Sequence, residues 1–168
     1  MCGINGIFHF QSQRKIDNRI LTKMRDTLDH RGPDDQGLFV ENNIGLGHRR
    51  LSILDVSAAG HQPFSSDDEC FVMVYTGEIY NFKEFYPELK TNGFEIKTGS
   101  DTEVLLKLFQ LYGSKMLHRL NGMFAFAIWD KEKKELTVAR DRMGVKPLYY
   151  SFSNETFYFA SEQKALFS

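Results

Sequence analysis

The sequence predicts an α+β domain that contains enough β-strand for two sheet layers. Its 168 residues suit one compact domain, so we treat residues 1–168 as a single unit. Short apolar runs typical of strands alternate along the chain with a few amphipathic segments typical of helices. Neither an internal repeat nor a Pro/Gly/Ser-rich linker divides the chain. Strands interleaved with a few helices indicate the α+β class.

The first part of the chain predicts a strand followed by an amphipathic helix. Ile4–Phe10 is mainly apolar, as strands often are. Five apolar residues then recur at helical spacing, namely Ile16, Ile20, Leu21, Met24 and Leu28. This periodicity predicts a helix over Asp17–Asp29. The run HRGPDD at 30–35 ends it, because a Gly-Pro pair cannot continue a helix.

A hairpin and a buried strand are expected next. Gly37–Glu41 and Ile44–Arg50 are joined by two Asn residues, which tolerate positive φ and so predict a tight turn. Ser57–Asp68 is polar and irregular. The continuous apolar run CFVMVY at Cys70–Tyr75 is typical of a strand buried on both faces. We interpret Cys70 as a buried residue that behaves as a small hydrophobe.

The last part of the chain predicts two helices and two strand pairs. Phe82–Thr91 is expected to be helical. Ser100 and Asp101 begin a second helix that ends at Gly113, since apolar residues recur between them at helical spacing. The strand pairs expected after it are Met123–Trp129 with Leu136–Arg140, and Leu148–Phe152 with Thr156–Ala160.

Composition argues against several classes of function. Lys plus Arg is 21 and Asp plus Glu is 22, a balance that disfavours nucleic-acid binding and polybasic membrane binding. We find no apolar run near the roughly 18 residues that span a bilayer, and no signal peptide at the start. The five histidines lack metal-ligand spacing, and two cysteines cannot build a zinc site or a disulfide framework. We therefore predict no metal site, free thiols and a cytoplasmic location.

Cys2 is the most informative single position. Removal of Met1 would make it the N-terminal residue, with a thiol and a free α-amine on the same residue. The amine has a reference pKa of about 7.7–8.0 and can accept the thiol proton near neutral pH, directly or through water. On position alone, Cys2 is better explained as a small residue that enters the first strand. Gly3 and Gly6 shift this balance, because they let other backbone and a ligand approach the terminus closely.

Three further positions are candidates for ligand contacts, although each has an ordinary structural explanation. Arg49 and Arg50 end a strand, and only one of them can face a given pocket because successive strand residues point to opposite faces. Glu78 comes shortly after the buried strand, behind a glycine that could present a backbone N–H to a ligand. Asp101 begins a helix, where an N-cap role would explain it.

Taken together, segments in a fixed order resemble those of a known family. The segments are MCGINGIF (1–8), HRGPDDQG (30–37), HRRLSILD (48–55), GHQPF (60–64), YTGEIYN (75–81), GSDTEVLL (99–106), GMFAFAIWD (122–130), ARDRMGVKPLYY (139–150) and ASEQKAL (160–166). They cover almost the whole chain. The protein chain resembles the N-terminal glutaminase domain of asparagine synthetases, a class II glutamine amidotransferase of the N-terminal-nucleophile hydrolase superfamily.

The resemblance implies a four-layer αββα sandwich, in which two antiparallel sheets pack face to face and helices cover the outside. It implies that Cys2 is the nucleophile that hydrolyses glutamine to glutamate and ammonia through a thioester. Gly77 would donate an oxyanion-hole N–H. Arg50 would bind the α-carboxylate of glutamine, while Glu78 and Asp101 would bind its α-ammonium. The backbone wall implied beside them consists of Leu51, Ser52, Ile53 and Leu54.

One position departs from the family pattern, which usually reads NGE where this sequence has TGE at 76–78. The Asn amide is the second oxyanion donor, and the Thr76 hydroxyl that replaces it is shorter and restricted at χ1. Losing such a donor costs about a hundred- to a thousand-fold in kcat, so we expect weakened glutaminase activity. A non-catalytic regulatory or scaffold domain of an ammonia-dependent synthetase is the first alternative. The second is an N-terminal-nucleophile hydrolase for another amide, although Arg50, Glu78 and Asp101 favour glutamine.

The resemblance also implies partners beyond this chain. A covalently attached C-terminal synthetase domain is expected to use ATP and Mg to activate an aspartate-like carboxylate. No cofactor is expected in the domain described by this sequence. The full-length protein is a candidate homodimer, and its ammonia acceptor is a property of the attached domain.

Overall fold

The computed structural model describes residues 1–11, 14–52 and 60–167. Within these ranges the helices are α1 (Asn18–Asp26), α2 (Tyr86–Thr91) and α3 (Asp101–Tyr112). The strands are β1 (Gly3–His9), β2 (Asp35–Glu41), β3 (Ile44–Arg50), β4 (Phe64–Ser65), β5 (Phe71–Ile79), β6 (Gly122–Asp130), β7 (Glu135–Arg140), β8 (Tyr149–Ser153) and β9 (Thr156–Ala160). Short 3₁₀ turns lie at Asp29–Arg31, Phe82–Phe85, Gly113–His118 and Gln163–Phe167.

The strands form two antiparallel sheets. One has five strands in the order β2-β3-β1-β9-β8, and the other has four in the order β4-β5-β6-β7. β1 is the central strand of the first sheet, so residues near the N-terminus pair with β3 on one side and with the C-terminal β9 on the other. In the second sheet, β5 and β6 pair along their whole lengths, from Phe71 opposite Asp130 to Ile79 opposite Gly122.

Three apolar layers hold these elements together. Side chains that alternate along the strands meet between the two sheets, where Ile4, Leu46, Val74, Trp129 and Phe159 are buried. α1 covers the outer face of the five-stranded sheet, and α2 and α3 cover the outer face of the four-stranded sheet. This is the αββα sandwich that the resemblance implies.

The elements form where the sequence pattern places them, with local differences at their ends. The Asp17 side chain caps α1 by accepting from the Arg19 N–H, and α1 ends at Asp26, three residues earlier than predicted. A 3₁₀ turn at Asp29–Arg31 follows α1 and ends before the Gly-Pro pair. Asn42 adopts a φ of 51°, as the predicted hairpin turn between β2 and β3 requires.

Two predictions around β5 are wrong. The strand runs to Ile79 rather than ending at Tyr75, because the polar residues after the apolar run keep their ladder partners on β6. Cys70 is not a buried core residue. It lies just before β5, partly exposed, where its sulfur donates to the Asp68 carbonyl at 3.5 Å. β4 is a further short strand inside the segment predicted to be irregular.

Candidate active site

Residues from both sheets and from α3 line one pocket at the end of the sandwich where β1 begins and β3 ends. Its lining includes seven of the residues selected from the sequence, namely Cys2, Arg50, Leu51, Thr76, Gly77, Glu78 and Asp101. Ser52 is not part of this lining; its backbone N–H donates to Asp34 at 2.8 Å. Ile53 and Leu54 lie outside the described residues.

The thiol of Cys2 faces this pocket beside the chain that leaves β3. Its Sγ accepts from the Leu51 N–H at 3.3 Å. Burial raises the pKa of the thiol, an effect that the Leu51 N–H, the chain N-terminus and Arg50 partly offset. The thiol is therefore protonated near neutral pH, and it needs a base before it can act as a nucleophile.

Thr76 holds the backbone of Cys2. Its hydroxyl donates to the Cys2 carbonyl at 3.1 Å, and the Thr76 side chain is 1% exposed. Even-numbered residues of β5 point toward the five-stranded sheet, which brings Thr76 onto the strand that carries Cys2. In this arrangement the Thr76 hydroxyl, which was expected to donate to an oxyanion, is engaged by the backbone of Cys2.

Gly77 lies at a position where β5 directs backbone donors toward the pocket. Gly77 lies opposite Phe124 of β6. The Phe124 N–H donates to the Asp141 carboxylate and its carbonyl accepts from the Asp141 N–H, so neither group bonds Gly77. The Gly77 N–H therefore points away from β6. The N–H groups two residues either side do the same: Tyr75 donates to Gln62 at 2.6 Å and Ile79 donates to Asp101 at 2.8 Å.

A side chain at Gly77 would collide with β6. A Cβ there would come within 2.3 Å of the Met123 carbonyl oxygen. Glycine is therefore required at this point of the ladder, and its N–H lies between two donors that are already engaged. A backbone N–H that is fixed in a strand and faces a pocket is the kind of donor that can stabilise an oxyanion.

The two arginines at the end of β3 point to opposite faces, as strand alternation predicts. Arg50 is 8% exposed and lines the pocket. Arg49 lies on the other face, where its guanidinium pairs with Asp26 at 2.7 Å and Asp29 at 2.9 Å. Gly60 makes room for Arg50, because a Cβ at Gly60 would approach Arg50 Nη2 to 2.0 Å.

Glu78 and Asp101 provide two carboxylates to the same pocket. Asp101 accepts from the Tyr75 hydroxyl at 2.6 Å and from the Ile79 N–H at 2.8 Å, which ties α3 to β5. The N-cap of α3 is Ser100, which accepts from the Thr102 N–H, so capping does not explain Asp101. Burial raises the pKa of Asp101, and burial together with the Asp101 charge raises the pKa of Glu78.

Several lining residues were not selected from the sequence, namely Met1, Gly60, Gln62, Tyr75, Ser100, Thr102 and Lys146. Gln62 and Gly60 belong to GHQPF, one of the segments that carry the family resemblance, within a stretch that we predicted to be irregular. Tyr75 was assigned to the core because it ends an apolar run. The only sequence feature that distinguishes Lys146 is its place within GVKPLYY, just before a strand, and this feature alone does not indicate a site residue.

Other kinds of site find little support in the parts of the chain that the structure describes. No three His, Cys, Asp or Glu side chains converge there as metal ligands would. Among residues 1–11, 14–52 and 60–167, no helix has the length and apolar character that crossing a bilayer requires.

Chemically, the pocket offers a thiol, a guanidinium, two carboxylates and an inward-facing N–H. This set suits a zwitterionic amino acid that carries an electrophilic side-chain group.

Comparisons with known proteins relate this chain to a domain family. The sequence profile described as a glutamine amidotransferase domain matches residues 1–168. The chain is 45% identical to the glutamine-hydrolyzing asparagine synthetase 1 of Bacillus subtilis, covering 99% of this chain and 26% of that protein. It is 39% identical to the glutamine-hydrolyzing asparagine synthetase B of Escherichia coli, covering 99% and 30% respectively. The chain thus spans less than a third of either relative.

A solved structure shares the fold at low sequence identity. The glutamine phosphoribosylpyrophosphate amidotransferase of B. subtilis, in complex with ADP and GMP, superposes with a TM-score of 0.81. The match covers 98% of this chain and 43% of that one, at 24% identity. It supports the sandwich fold independently of close sequence similarity.

Proposed function

This chain belongs to the glutamine amidotransferase domain family, and from that premise we propose that its pocket hydrolyses the side-chain amide of glutamine to glutamate and ammonia. The observation that carries the proposal is that the Cys2 thiol, the Arg50 guanidinium and the carboxylates of Glu78 and Asp101 line one pocket. An amide hydrolase without selectivity for a free amino acid would not need this distribution of charge.

Recognition follows from the charges of free glutamine. The α-carboxylate pairs with the guanidinium of Arg50, and the α-ammonium lies between Glu78 and Asp101. These contacts fix one end of the substrate and direct the amide carbon to Cys2. A substrate without the α-amino acid group leaves buried charges without partners, and this supplies the selectivity.

The reaction proceeds through a covalent intermediate. The Cys2 thiol transfers its proton to a base, and its sulfur forms a bond to the amide carbon of glutamine. The resulting oxyanion is stabilised by the Gly77 N–H. The carbon–nitrogen bond then breaks, and ammonia leaves with the proton held by the base. Water adds to the thioester, the carbon–sulfur bond breaks, and glutamate and the free thiol are released.

The base in this scheme is the α-amine of Cys2 after removal of Met1. Because burial raises the pKa of the thiol, a base beside the sulfur is needed near neutral pH. An α-amine has an ordinary pKa of about 7.7–8.0 and accepts the proton directly or through a water molecule.

The ammonia is proposed to serve an attached synthetase domain of the asparagine-synthetase type, by similarity to relatives much longer than this chain. ATP and Mg belong to that domain and not to the pocket described above. We place the protein in the cytoplasm, where its two thiols stay reduced. A homodimer of the full-length protein remains part of the proposal.

Intact-mass analysis with a glutamine analogue tests the proposal. The analogue keeps the α-amino acid group and carries an electrophilic ketone in place of the amide. We expect the mass to show loss of Met1 and one adduct on Cys2, and free glutamine to protect against the adduct. Ammonia release is measured in parallel on the same sample. A processed chain that neither reacts nor releases ammonia would favour the scaffold alternative.

A further inference from the structure

A buried lysine lies in the pocket and takes no part in the steps above. Lys146 is 5% exposed and lines the pocket together with Glu78. Its Nζ donates to the thioether of Met1 at 3.2 Å, a weak acceptor that is lost when Met1 is removed. Lys146 forms no salt bridge with any carboxylate among residues 1–11, 14–52 and 60–167. A buried ammonium with so poor a partner is costly unless another group uses its charge.

The fold holds this lysine in place through its backbone. The Lys146 N–H donates to the Asp141 carboxylate at 2.9 Å, and the same carboxylate accepts from the N–H of Phe124 on β6. The Lys146 carbonyl accepts from Arg140 at 2.6 Å. These contacts anchor the residue to the four-stranded sheet, so the direction of its side chain into the pocket is built in.

We propose that Lys146 is a positioning residue for glutamine: its buried ammonium keeps the Glu78 carboxylate charged, so that Glu78 can bind the substrate's α-ammonium. This inference rests on the proposed function. The Lys146 charge lowers the pKa of Glu78, against the burial and the Asp101 charge that raise it. The other titratable or charged groups at this pocket are the chain N-terminus, Cys2, Arg50 and Tyr75.

The charge balance of the site supports this role. Glu78 and Asp101 contribute two negative charges, and Arg50 and Lys146 contribute two positive ones. Glutamine itself is a neutral zwitterion, so the occupied pocket is balanced. Without Lys146 one negative charge is left over, and a partly buried carboxylate beside another relieves it by taking up a proton. A protonated Glu78 no longer attracts an ammonium group.

Glutamine affinity measured by calorimetry tests the inference without requiring turnover. The Cys2→Ala chain is compared with the same chain carrying Lys146→Met, which keeps the length of the side chain, or Lys146→Arg, which keeps its charge. We expect Lys146→Met to move the acidic loss of glutamine binding about one pH unit upward. The Kd then rises by up to about tenfold at acidic pH, where the unmodified chain also begins to lose glutamine, and little at pH 8, and Lys146→Arg restores the original profile.

A second background separates charge from packing. In a chain with Glu78→Gln, the Lys146→Met change should have no further pH-dependent effect, because the carboxylate on which it acts is gone. A Kd that rises equally at all pH values, or equally in the Glu78→Gln background, overturns the inference. Absence of ammonia release from the unmodified chain, with the Kd profiles as expected, would reject the proposed hydrolysis and leave the role of Lys146 in binding intact. Absence of any glutamine binding would reject both.

Discussion

Cys2 is held at two separate points, by the Leu51 N–H at its sulfur and by the Thr76 hydroxyl at its carbonyl. Only the first of these contacts depends on the side chain. We therefore expect Cys2→Ala to abolish ammonia release from glutamine while the midpoint of thermal unfolding changes by only a few degrees. Cys70→Ala is the matched control, since this thiol lies outside the pocket and should leave turnover unchanged. Residual turnover in Cys2→Ala would exclude the thioester route.

Arg49 and Arg50 offer a direct test of which guanidinium meets the substrate. Arg50→Ala leaves the α-carboxylate of glutamine without its cation, a loss of about 1.5–3 kcal/mol for a charged hydrogen bond. We expect KM to rise roughly tenfold to a hundredfold, as measured by ammonia release. Arg49→Ala removes pairs with Asp26 and Asp29 on the other face, so it should lower stability slightly and leave KM unchanged. Equal effects on KM would contradict the observed register.

At Thr76 the structure changes the expectation drawn from the sequence. Its hydroxyl bonds the Cys2 carbonyl, so Thr76→Asn introduces an amide donor that this chain lacks at the oxyanion. The donor acts on charge that develops in the tetrahedral intermediate, so kcat should rise, by about a hundredfold at most, with little change in KM. Steady-state kinetics on the processed chain measures this.

Thr76→Val is the control for the Asn variant, because it removes the hydroxyl and keeps the shape. It should lower stability by about 1 kcal/mol through loss of the bond to Cys2. If Thr76→Asn is no faster than the unchanged chain, the hydroxyl already serves the oxyanion or the packing around Cys2 has adapted to threonine.

Element by element, β5 shows why local pattern predicts less than a ladder does. The apolar run ends at Tyr75, and the following Thr-Gly-Glu resembles a turn. The strand nevertheless continues to Ile79 because β6 offers a partner for every residue. Gly77 and Glu78 could be selected from the sequence alone. That they lie on a strand whose odd-numbered N–H groups face the pocket could not.

Gly60 leaves the space that the Arg50 side chain occupies. A Cβ at Gly60 would lie 2.0 Å from Arg50 Nη2, the far end of a flexible side chain. Gly60→Ala should therefore displace the guanidinium rather than the fold, and raise the KM for glutamine with little change in kcat. Gly99→Ala is the control, since nothing lies within 4 Å of a Cβ there. A normal KM for Gly60→Ala would show that Arg50 reaches the substrate from another direction.

At the scale of the whole molecule, the site exists because β1 lies in the middle of its sheet. Cys2 enters β1 between β3 and β9, strands from distant parts of the sequence. Single-segment periodicity predicted these strands but carries no information on which of them pair. Neither the residues nor the resemblance predicted this pairing, and only the set of residues in the pocket was implied by the resemblance.

The packing of the two sheets also buries a histidine, and this makes the stability of the whole fold depend on pH. His48 on β3 is 1% exposed, and its Nε2 meets the Tyr75 carbonyl of the other sheet at 3.1 Å. Burial lowers its pKa from the ordinary 6.5 to about 4. The unfolded chain takes up this proton at higher pH than the folded chain does, so this contribution to stability is lost as pH falls from about 6.5 toward 4.

We expect this loss to reach roughly 3 kcal/mol by pH 4, at about 1.4 kcal/mol for each pKa unit. The raised pKa values of Glu78 and Asp101 act in the opposite direction, since the folded chain binds those protons first. The histidine term is therefore isolated as a difference between chains. Urea unfolding of the unchanged chain and of His48→Gln from pH 7.5 to 4 should give free energies of unfolding that converge, or cross, at acidic pH. His118→Gln, at an exposed histidine, is the matched control for replacing a histidine. A constant gap between the His48→Gln and unchanged curves would mean that His48 is protonated in the folded protein as readily as in the unfolded one.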